Sequence, residues 1–224
     1  MRTVLKYIIN RTYRPLLVKY LAGDRTWSWK GITLSIPSGV FHPAFFFSSK
    51  LLMRYLSSMP LEHRRFLELG AGSGLLSVYA ARQGATVTAT DISPDAIRAL
   101  HMNRTLNEVS FDIVRSDVFK NIPVRHFDII VINPPYYRDD PDSYAEHAWY
   151  CGKDGKFFTD LFSGLADFTH RQSEVIMILC DGCDINMVRE ISGRYGFHMN
   201  CVSVHSNLME QNFIYRIEPM AAHA

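Results

Sequence analysis

Residues 127–136 have the sequence Phe-Asp-Ile-Ile-Val-Ile-Asn-Pro-Pro-Tyr, in which an apolar run is followed by four residues of another character. The apolar run predicts a buried strand, so Asn133 lies just past the strand's carboxyl end, where open α/β sheets place their ligand sites. Asn133 offers a side-chain carbonyl, and the two prolines offer backbone carbonyls without an N–H. Tyr136 adds a flat aromatic face. A slot that is rich in acceptors and poor in backbone donors suits a planar NH2 group.

The rest of the chain alternates strand patterns with helix patterns, which is typical of a doubly wound parallel α/β sheet. Ser93 and the proline after it mark a helix start, and apolar residues within 51–59 predict a helix that ends at Pro60. Only residues 206–211 separate the last two predicted strands, too few for a crossover helix, so we expect an antiparallel hairpin there. Apolar runs predict seven strands, at residues 65–69, 85–91, 112–115, 128–133, 174–180, 198–204 and 212–217.

A glycine-rich loop follows the first of these strands and has the sequence Glu68-Leu-Gly-Ala-Gly-Ser-Gly74. Glycines let the backbone approach a ligand, and the free N–H groups at the start of the next helix face it. Asp91 lies about 20 residues further on, as a ribose-binding acid would in several nucleotide sites. The G-x-G-x-G spacing differs from the G-x-G-x-x-G of dinucleotide proteins. Glu68 would also repel a pyrophosphate, whereas it would attract a ligand that carries an ammonium group.

The first thirty residues differ in charge from the rest of this chain of 224 residues, whose net charge is +2. They contain seven Lys or Arg and a single acid, Asp24, which gives +6 here and −4 for the remainder. Apolar residues at helical spacing predict two short helices, and residues 27–36 predict one or two short strands broken at Gly31. We therefore expect a basic helical arm with short strands at 1–43 and the main domain at 44–224.

Composition indicates the class of protein. An apolar content of 47% is enough for one well-buried core. No apolar run approaches the roughly 18 residues of a membrane span, and no signal-peptide pattern opens the chain, so we expect a cytoplasmic protein without a membrane segment. Cys180 and Cys183 form a CxxC pair, but no second pair and no nearby His at ligand spacing accompany it. We therefore expect no metal site and reduced thiols.

Taken together, these segments resemble the class I S-adenosylmethionine-dependent methyltransferases that carry an NPPY motif, within the methyltransferase small domain group. HemK-type glutamine methyltransferases and nucleobase amino-methyltransferases belong to it. The resemblance runs from about Val40 to Asp160. It implies a Rossmann-like fold with a seven-stranded sheet, an antiparallel last strand and a short N-terminal extension. It also implies N-methyltransferase activity with S-adenosylmethionine as the cofactor.

The resemblance assigns the cofactor to residues at three successive strand ends. Glu68 and the glycine loop are expected to hold the methionine part, Asp91 the ribose hydroxyls, and Asp117 the adenine amino group. Each acid taken alone could instead cap the turn that follows it. The expected cofactor-binding residues are Glu68, Gly70, Ala71, Gly72, Gly74, Asp91, Ile92, Asp117, Val118 and Asn133.

The expected catalytic residues are Asn133, Pro134, Pro135 and Tyr136. An amide or exocyclic amine is a poor nucleophile because its lone pair is delocalised. The side-chain carbonyl of Asn133 and the backbone carbonyl of Pro134 are expected to accept its two N–H bonds and hold the nitrogen in line with the sulfonium methyl. Tyr136 would stack on the planar group. No strong general base is required.

The leading hypothesis for the acceptor is a glutamine side-chain amide in a protein. Residues 146–157 support it, because they resemble a loop of HemK-type enzymes with Cys151 in place of one glycine. Upstream, residues 40–43 resemble the segment that these enzymes place over the cofactor and acceptor, but three Phe and a Ser at 45–48 stand where acidic and Thr residues commonly follow it. The alternative is an exocyclic amine of RNA or DNA, adenine N6 or guanine N2, with the basic arm and the Tyr136-Tyr137 pair as the nucleic acid binding surface.

Three other hypotheses are less favoured: a small-molecule acceptor, an NAD-linked oxidoreductase and a non-catalytic binding subunit. The glycine spacing and the antiparallel end of the sheet argue against the oxidoreductase. The intact glycines, Asp91 and Asn133 argue against the silent subunit. The partner is thus expected to be a protein or nucleic acid substrate. A partner subunit is also possible, because about 60 residues before the glycine loop are few for a substrate-recognition domain.

Overall fold

The computed structural model describes residues 23–44, 47–207 and 210–220. These residues form a two-stranded hairpin and a seven-stranded sheet with helices on both faces. The hairpin consists of β1 (Arg25–Trp29) and β2 (Ile32–Ile36). The large sheet contains β3 (Arg65–Leu69), β4 (Thr86–Asp91), β5 (Asp112–Arg115), β6 (Phe127–Ile132), β7 (Thr169–Cys180), β8 (Phe197–Ser206) and β9 (Gln211–Pro219). The helices are α1 (Phe47–Leu56), α2 (Leu75–Arg82), α3 (Pro94–Leu106), α4 (Lys156–Gly164) and α5 (Ile185–Arg194), with short 3₁₀ turns at Glu146–Ala148 and Leu165–Phe168.

The strand order of the large sheet is β5-β4-β3-β6-β7-β9-β8. Strand β3 pairs in parallel with β4 and β6, and β6 pairs in parallel with β7. Strand β9 runs antiparallel to both β7 and β8, which confirms the predicted hairpin. The chain reverses its direction of travel across the sheet between β3 and β6, and ligands bind at such a switch point. Leu69 pairs with Ile132, so Gly70 and Asn133 leave neighbouring strands at the same level.

Strand β6 is buried on both faces of the sheet. Ile129 and Val131 belong to a core cluster with α1, α2 and α3, whereas Ile130 and Ile132 belong to a second cluster with α4 and α5. Each fully buried aliphatic side chain contributes about 1.5–3 kcal/mol relative to an exposed one. This burial explains why the run before Asn133 is continuously apolar rather than alternating.

The hairpin packs on α3 and is part of the main core. Strand β2 buries its alternate apolar residues in the cluster formed with α1, α2 and α3. Asn103 of α3 is fully buried and exchanges hydrogen bonds with the backbone of Ser35, at 2.7 and 2.9 Å. It also donates to the backbone carbonyl of Ser73 in the glycine loop, at 2.8 Å. One amide therefore connects the hairpin to the loop. The domain boundary at residue 43 stays a prediction, and residues 1–22 of the basic arm lie outside the described residues.

Two element boundaries differ by more than two residues from those predicted. Strand β7 begins at Thr169 rather than near residue 174, because its first five residues are polar and carry no apolar alternation. Helix α1 ends at Leu56, before Pro60. The hydroxyls of Ser57 and Ser58 donate to carbonyls of the helix's last turn, both at 2.7 Å, and so satisfy groups that a helix end leaves unpaired.

Among the described residues, no helix has both the length and the apolar character needed to cross a membrane. The described part of the chain also lacks any group of three or more His, Cys, Asp or Glu that could hold a metal ion. Cys180 and Cys183 are buried, and burial raises the pKa of their thiols to about 11 and about 12. The cytoplasmic location stays a prediction.

Candidate active site

A cavity of about 270 Å³ lies at the carboxyl ends of β3, β4, β5 and β6. Residues 39–43 cover one side of it, and residues 140–160 contribute to another wall. The cavity brings together nearly all of the predicted site residues, which are Glu68, Gly70, Ala71, Gly72, Asp91, Ile92, Asp117, Val118, Asn133, Pro134, Pro135 and Tyr136. Gly74 does not line it.

Gly74 lies at the start of α2 and packs against the core rather than facing the cavity. A Cβ at Gly74 would lie 2.6 Å from Cδ2 of Leu100, which is fully buried. A Cβ at Gly70 would meet nothing within 4 Å. Both residues have positive φ, +82° and +69° respectively, which L side chains rarely adopt. The first glycine of the loop thus faces open space where a ligand fits, and the last allows the close packing of α2 and α3.

These two glycines make a matched pair of substitutions. Gly74→Ala is expected to lower the free energy of unfolding by about 2–4 kcal/mol, because backbone strain adds to a clash with the fully buried side chain of Leu100. Gly70→Ala should cost only about 1–2 kcal/mol from strain and should mainly weaken ligand binding. Urea denaturation of both variants measures the difference. A larger loss of stability for Gly70→Ala would contradict this account of the loop.

Asp91 ties the glycine loop to the end of β4. One carboxylate oxygen accepts from the backbone N–H of Gly72 and the other from that of Ser93, both at 2.9 Å. Burial raises the pKa of Asp91, although hydrogen bonds from Ser93, Gly72 and Ile92 oppose the shift. The carboxylate still lines the cavity, so it can also accept hydrogen bonds from hydroxyl groups of a ligand.

Glu68 is buried at the end of β3, with 5% of its surface exposed. One carboxyl oxygen accepts from both the backbone N–H and the hydroxyl of Ser77, in α2. Burial raises the pKa of Glu68 from its ordinary 4.5 to about 8, the hydrogen bonds from Ser77 oppose this, and the nearby Asp91 adds to it.

This shift predicts a pH dependence of stability. The pKa of Glu68 is higher in the folded protein than in the unfolded chain, so protonated Glu68 contributes to stability. This contribution is fully present below pH 4.5 and is lost as the pH rises through about 8. Over that range the slope from Glu68 is at most about 1.4 kcal/mol per pH unit. Glu68→Gln, which keeps the acceptor for Ser77, should remove this component from chemical unfolding curves measured between pH 5 and pH 8. Glu62→Gln, at an exposed position, is the matched control; equal pH slopes for Glu68→Gln and wild type would refute the shift.

Asn133 is held by two side chains at the tip of β6. Its Nδ2 donates to the hydroxyl of Ser48 at 3.1 Å, and its Oδ1 accepts from the hydroxyl of Tyr136 at 2.7 Å. Burial raises the pKa of Tyr136 well above its usual value, so the phenol keeps its proton and donates. The amide oxygen has a second lone pair that can accept a further N–H.

The segment after β5 forms a strained turn at the cavity. Val118 has φ +48°, a rare conformation for a β-branched residue. The hydroxyl of Ser116 stabilises the turn by donating to the Val118 carbonyl at 2.9 Å and accepting from the N–H of Asn121 at 3.0 Å. Asp117 lines the cavity and pairs with Lys120. Strained backbone of this kind clusters at functional sites.

The acceptor side of the cavity has aromatic walls. Phe41 and Trp149 lie with ring centroids 5.8 Å apart. The backbone N–H of Tyr137 donates to the backbone carbonyl of Trp149, and the backbone N–H of Cys151 donates to the backbone carbonyl of Tyr137, each at 2.8 Å. These two bonds join the two ends of the loop between Tyr137 and Cys151. The sequence predicted that residues 40–43 and 146–157 lie near the site, but it did not identify Ser48, Ser116 or Trp149 as parts of it. These three residues contact partners that are distant in the chain or that lie in turns without regular periodicity.

The loop that follows the slot is acidic. Residues 138–146, termed the acidic loop, contain four acids and one basic residue, Arg138. Arg138 pairs with Asp184 at 3.1 Å. Lys153 approaches Asp139 and Asp140, at 3.7 and 3.4 Å. The described rim on this side of the cavity thus favours a cationic or neutral ligand over a polyanion.

Known proteins resemble this chain in sequence and in fold. The family model of the methyltransferase small domain matches residues 31–148. A Methanocaldococcus jannaschii protein named protein N5-glutamine methyltransferase is 36% identical over 138 residues, which cover 59% of this chain and 68% of that one. The chain spans 45% or less of several other curated relatives that it matches.

Two solved structures illustrate the likeness in fold. The E. cuniculi Mtq2–Trm112 complex, described as responsible for methylation of the eRF1 translation termination factor, has a TM-score of 0.62 and 22% identity, and the match covers 81% of this chain and 99% of that one. The T. thermophilus 16S rRNA N2 G1207 methyltransferase, solved with AdoMet and guanosine, has a TM-score of 0.56 and 18% identity, with 86% and 50% covered.

Proposed function

The chain belongs to the methyltransferase small domain family, and from this we propose that it transfers a methyl group from S-adenosylmethionine to the side-chain amide nitrogen of a glutamine in a protein. The observation that carries the proposal is the amide carbonyl of Asn133, which lies at the tip of β6 in the same cavity as the glycine loop.

The residues of the cavity fit the cofactor. Beside Gly70 the backbone borders open space, which a ligand can enter closely. Glu68 and Asp91 supply acidic groups at two adjacent strand ends, suited to an ammonium group and to ribose hydroxyls, and Ile92 and Val118 supply apolar surface for a base. Asp117 is proposed to accept from the adenine amino group. S-adenosylmethionine supplies, when bound, an electrophilic methyl group on a sulfonium centre.

The chain's own residues position the acceptor. The Oδ1 of Asn133 and the backbone carbonyl of Pro134 are proposed to accept hydrogen bonds from the two N–H groups of the glutamine amide. This holds the nitrogen still and favours its change of geometry as positive charge develops on it. The aromatic walls are proposed to shield the slot from water. A proton leaves the nitrogen after transfer, so no side chain has to act as a strong base.

The acidic loop supports a protein acceptor rather than a nucleic acid. A phosphate backbone beside residues 138–146 would meet excess negative charge, which opposes the binding of DNA or RNA. The exocyclic amine of adenine or guanine is the second candidate acceptor, because the first thirty residues are strongly basic. A partner subunit is also part of the proposal, since the Mtq2 neighbour is found in complex with Trm112.

One labelling experiment tests the acceptor class. The protein is incubated with S-adenosylmethionine carrying a radioactive methyl group and a cell extract, which also supplies any partner subunit, and separate aliquots then receive protease or nuclease. We expect only the protease to release the label. Complete enzymatic digestion of the labelled protein, without acid, should then yield N5-methylglutamine. Release by nuclease would replace the glutamine proposal with the nucleobase one. The variant Asn133→Ala in parallel identifies label that does not depend on the slot.

A further inference from the structure

Ser48, Asn133 and Tyr136 form a closed group of hydrogen bonds beside the cavity. Asn133 donates to Ser48, and Tyr136 donates to Asn133, at 3.1 and 2.7 Å. The hydroxyl of Ser48 is in turn a hydrogen-bond partner of the Tyr136 hydroxyl, which lowers the pKa of that phenol against the dominant effect of burial. Each of the three side chains therefore has two partners within the group.

Ser48 is placed to act through this group alone. It lies in the first turn of α1, and only 3% of its surface is exposed. It contacts Asn133 across 85 positions of sequence, so it connects the start of α1 with the tip of β6. A buried hydroxyl needs partners, and here those partners are the two side chains of the slot.

We propose that Ser48 is a positioning residue for methyl transfer, which fixes the amide of Asn133 so that its Oδ1 faces the acceptor nitrogen. This inference rests on the proposed function and deepens it. An amide can rotate about its last side-chain bond, and a rotated Asn133 would offer N–H groups to the N–H groups of the acceptor. With Ser48 on Nδ2 and Tyr136 on Oδ1, both ends of the amide are held, and one lone pair of Oδ1 is left for the acceptor.

The group also assigns a second role to Tyr136. If its ring merely stacks on the acceptor, removing the hydroxyl has no effect. If the hydroxyl fixes Asn133, then Tyr136→Phe and Ser48→Ala disturb the same amide and their effects overlap. Side chains of one hydrogen-bond network are coupled in this way, so the double variant loses less than the product of the single losses.

Variants of Ser48 test the proposal. Their methylation rates are measured on the fraction of the cell extract that the wild-type protein labels. Ser48→Ala should lower kcat about tenfold, with the Kd of S-adenosylmethionine unchanged, because one hydrogen bond that positions Asn133 is lost. Ser48→Thr keeps the hydroxyl and should recover most of the rate. The control is Ser192→Ala in α5, an equally buried serine whose hydroxyl donates to a backbone carbonyl away from the cavity. Wild-type kcat in Ser48→Ala, or equal losses in the Ala and Thr variants, would overturn the proposal.

A second readout does not depend on any acceptor. The side-chain NH2 signals of Asn133, assigned by their loss in Asn133→Ala, should exchange slowly with solvent in the wild type and at least about tenfold faster in Ser48→Ala. Unchanged exchange would overturn the role of Ser48 even if glutamine methylation were established. Faster exchange together with label in nucleic acid would leave Ser48 as the positioning residue and move only the acceptor. If Ser48→Ala does not fold, Ser48→Cys, which fills the same space but is a much weaker hydrogen-bond partner, replaces it in both measurements, with the same direction of change expected.

Discussion

Asn133→Ala is expected to lower kcat by about two to four powers of ten, while the affinity for S-adenosylmethionine changes no more than a few-fold. The substitution removes the side-chain carbonyl that is proposed to accept one N–H of the substrate, and it leaves the glycine loop and Asp91 in place. Single-turnover methylation and calorimetric titration of the cofactor separate the two quantities. The matched control is Asn200→Ala, the same chemical change on the exposed strand β8.

The split between rate and binding is the informative part of this result. Loss of cofactor binding in Asn133→Ala would mean that the residue belongs to the cofactor site rather than to the slot. Full activity on the true acceptor would mean that another group holds the nitrogen. Ser48 and Tyr136 also lose their hydrogen-bond partner in this variant, so unfolding curves accompany the kinetics.

Asp91→Ala should have the opposite effect. We expect the Kd of S-adenosylmethionine to rise by about one to three powers of ten, because a partly buried carboxylate that can accept hydrogen bonds from the ribose hydroxyls is lost. The backbone N–H groups of Gly72 and Ser93 lose their acceptor as well, so the glycine loop becomes less ordered. At saturating cofactor, kcat should recover to within about tenfold of the wild type.

A neighbouring acid makes the comparison specific. Asp117→Ala removes a carboxylate that also lines the cavity but is more exposed and paired with Lys120. We expect a smaller rise in Kd for this variant than for Asp91→Ala. Equal affinities of Asp91→Ala and the wild type, measured by titration calorimetry, would exclude Asp91 as a cofactor ligand and leave it a purely structural role in the loop.

The fold was predictable because its signals are local. The apolar run of β6 is long and bounded by Asn133, and it is buried on both faces as such runs usually are. Ser93 caps α3, its hydroxyl accepting from the N–H of Ala96. The short connection between β8 and β9 excluded a crossover helix, and the two strands pair antiparallel. Each of these conclusions needed fewer than about a dozen adjacent residues.

The parts of the site that escaped prediction depend on distant contacts. The bond between Ser48 and Asn133 joins residues 85 positions apart, and no local pattern marks it. Gly74 looked like a ligand-binding glycine, but its packing against Leu100 is set by how α2 and α3 meet. The positive φ of Val118 is likewise imposed by the turn that Ser116 holds. Spacing identified the loops of the site, whereas their internal geometry came from packing.

The most direct test of the central claim is a crystal structure of the protein with S-adenosylmethionine. We expect the cofactor in the cavity between the glycine loop and the end of β5, with its ribose at Asp91 and its methyl group directed toward Oδ1 of Asn133. A cofactor bound elsewhere, or a methyl group directed away from Asn133, would contradict it.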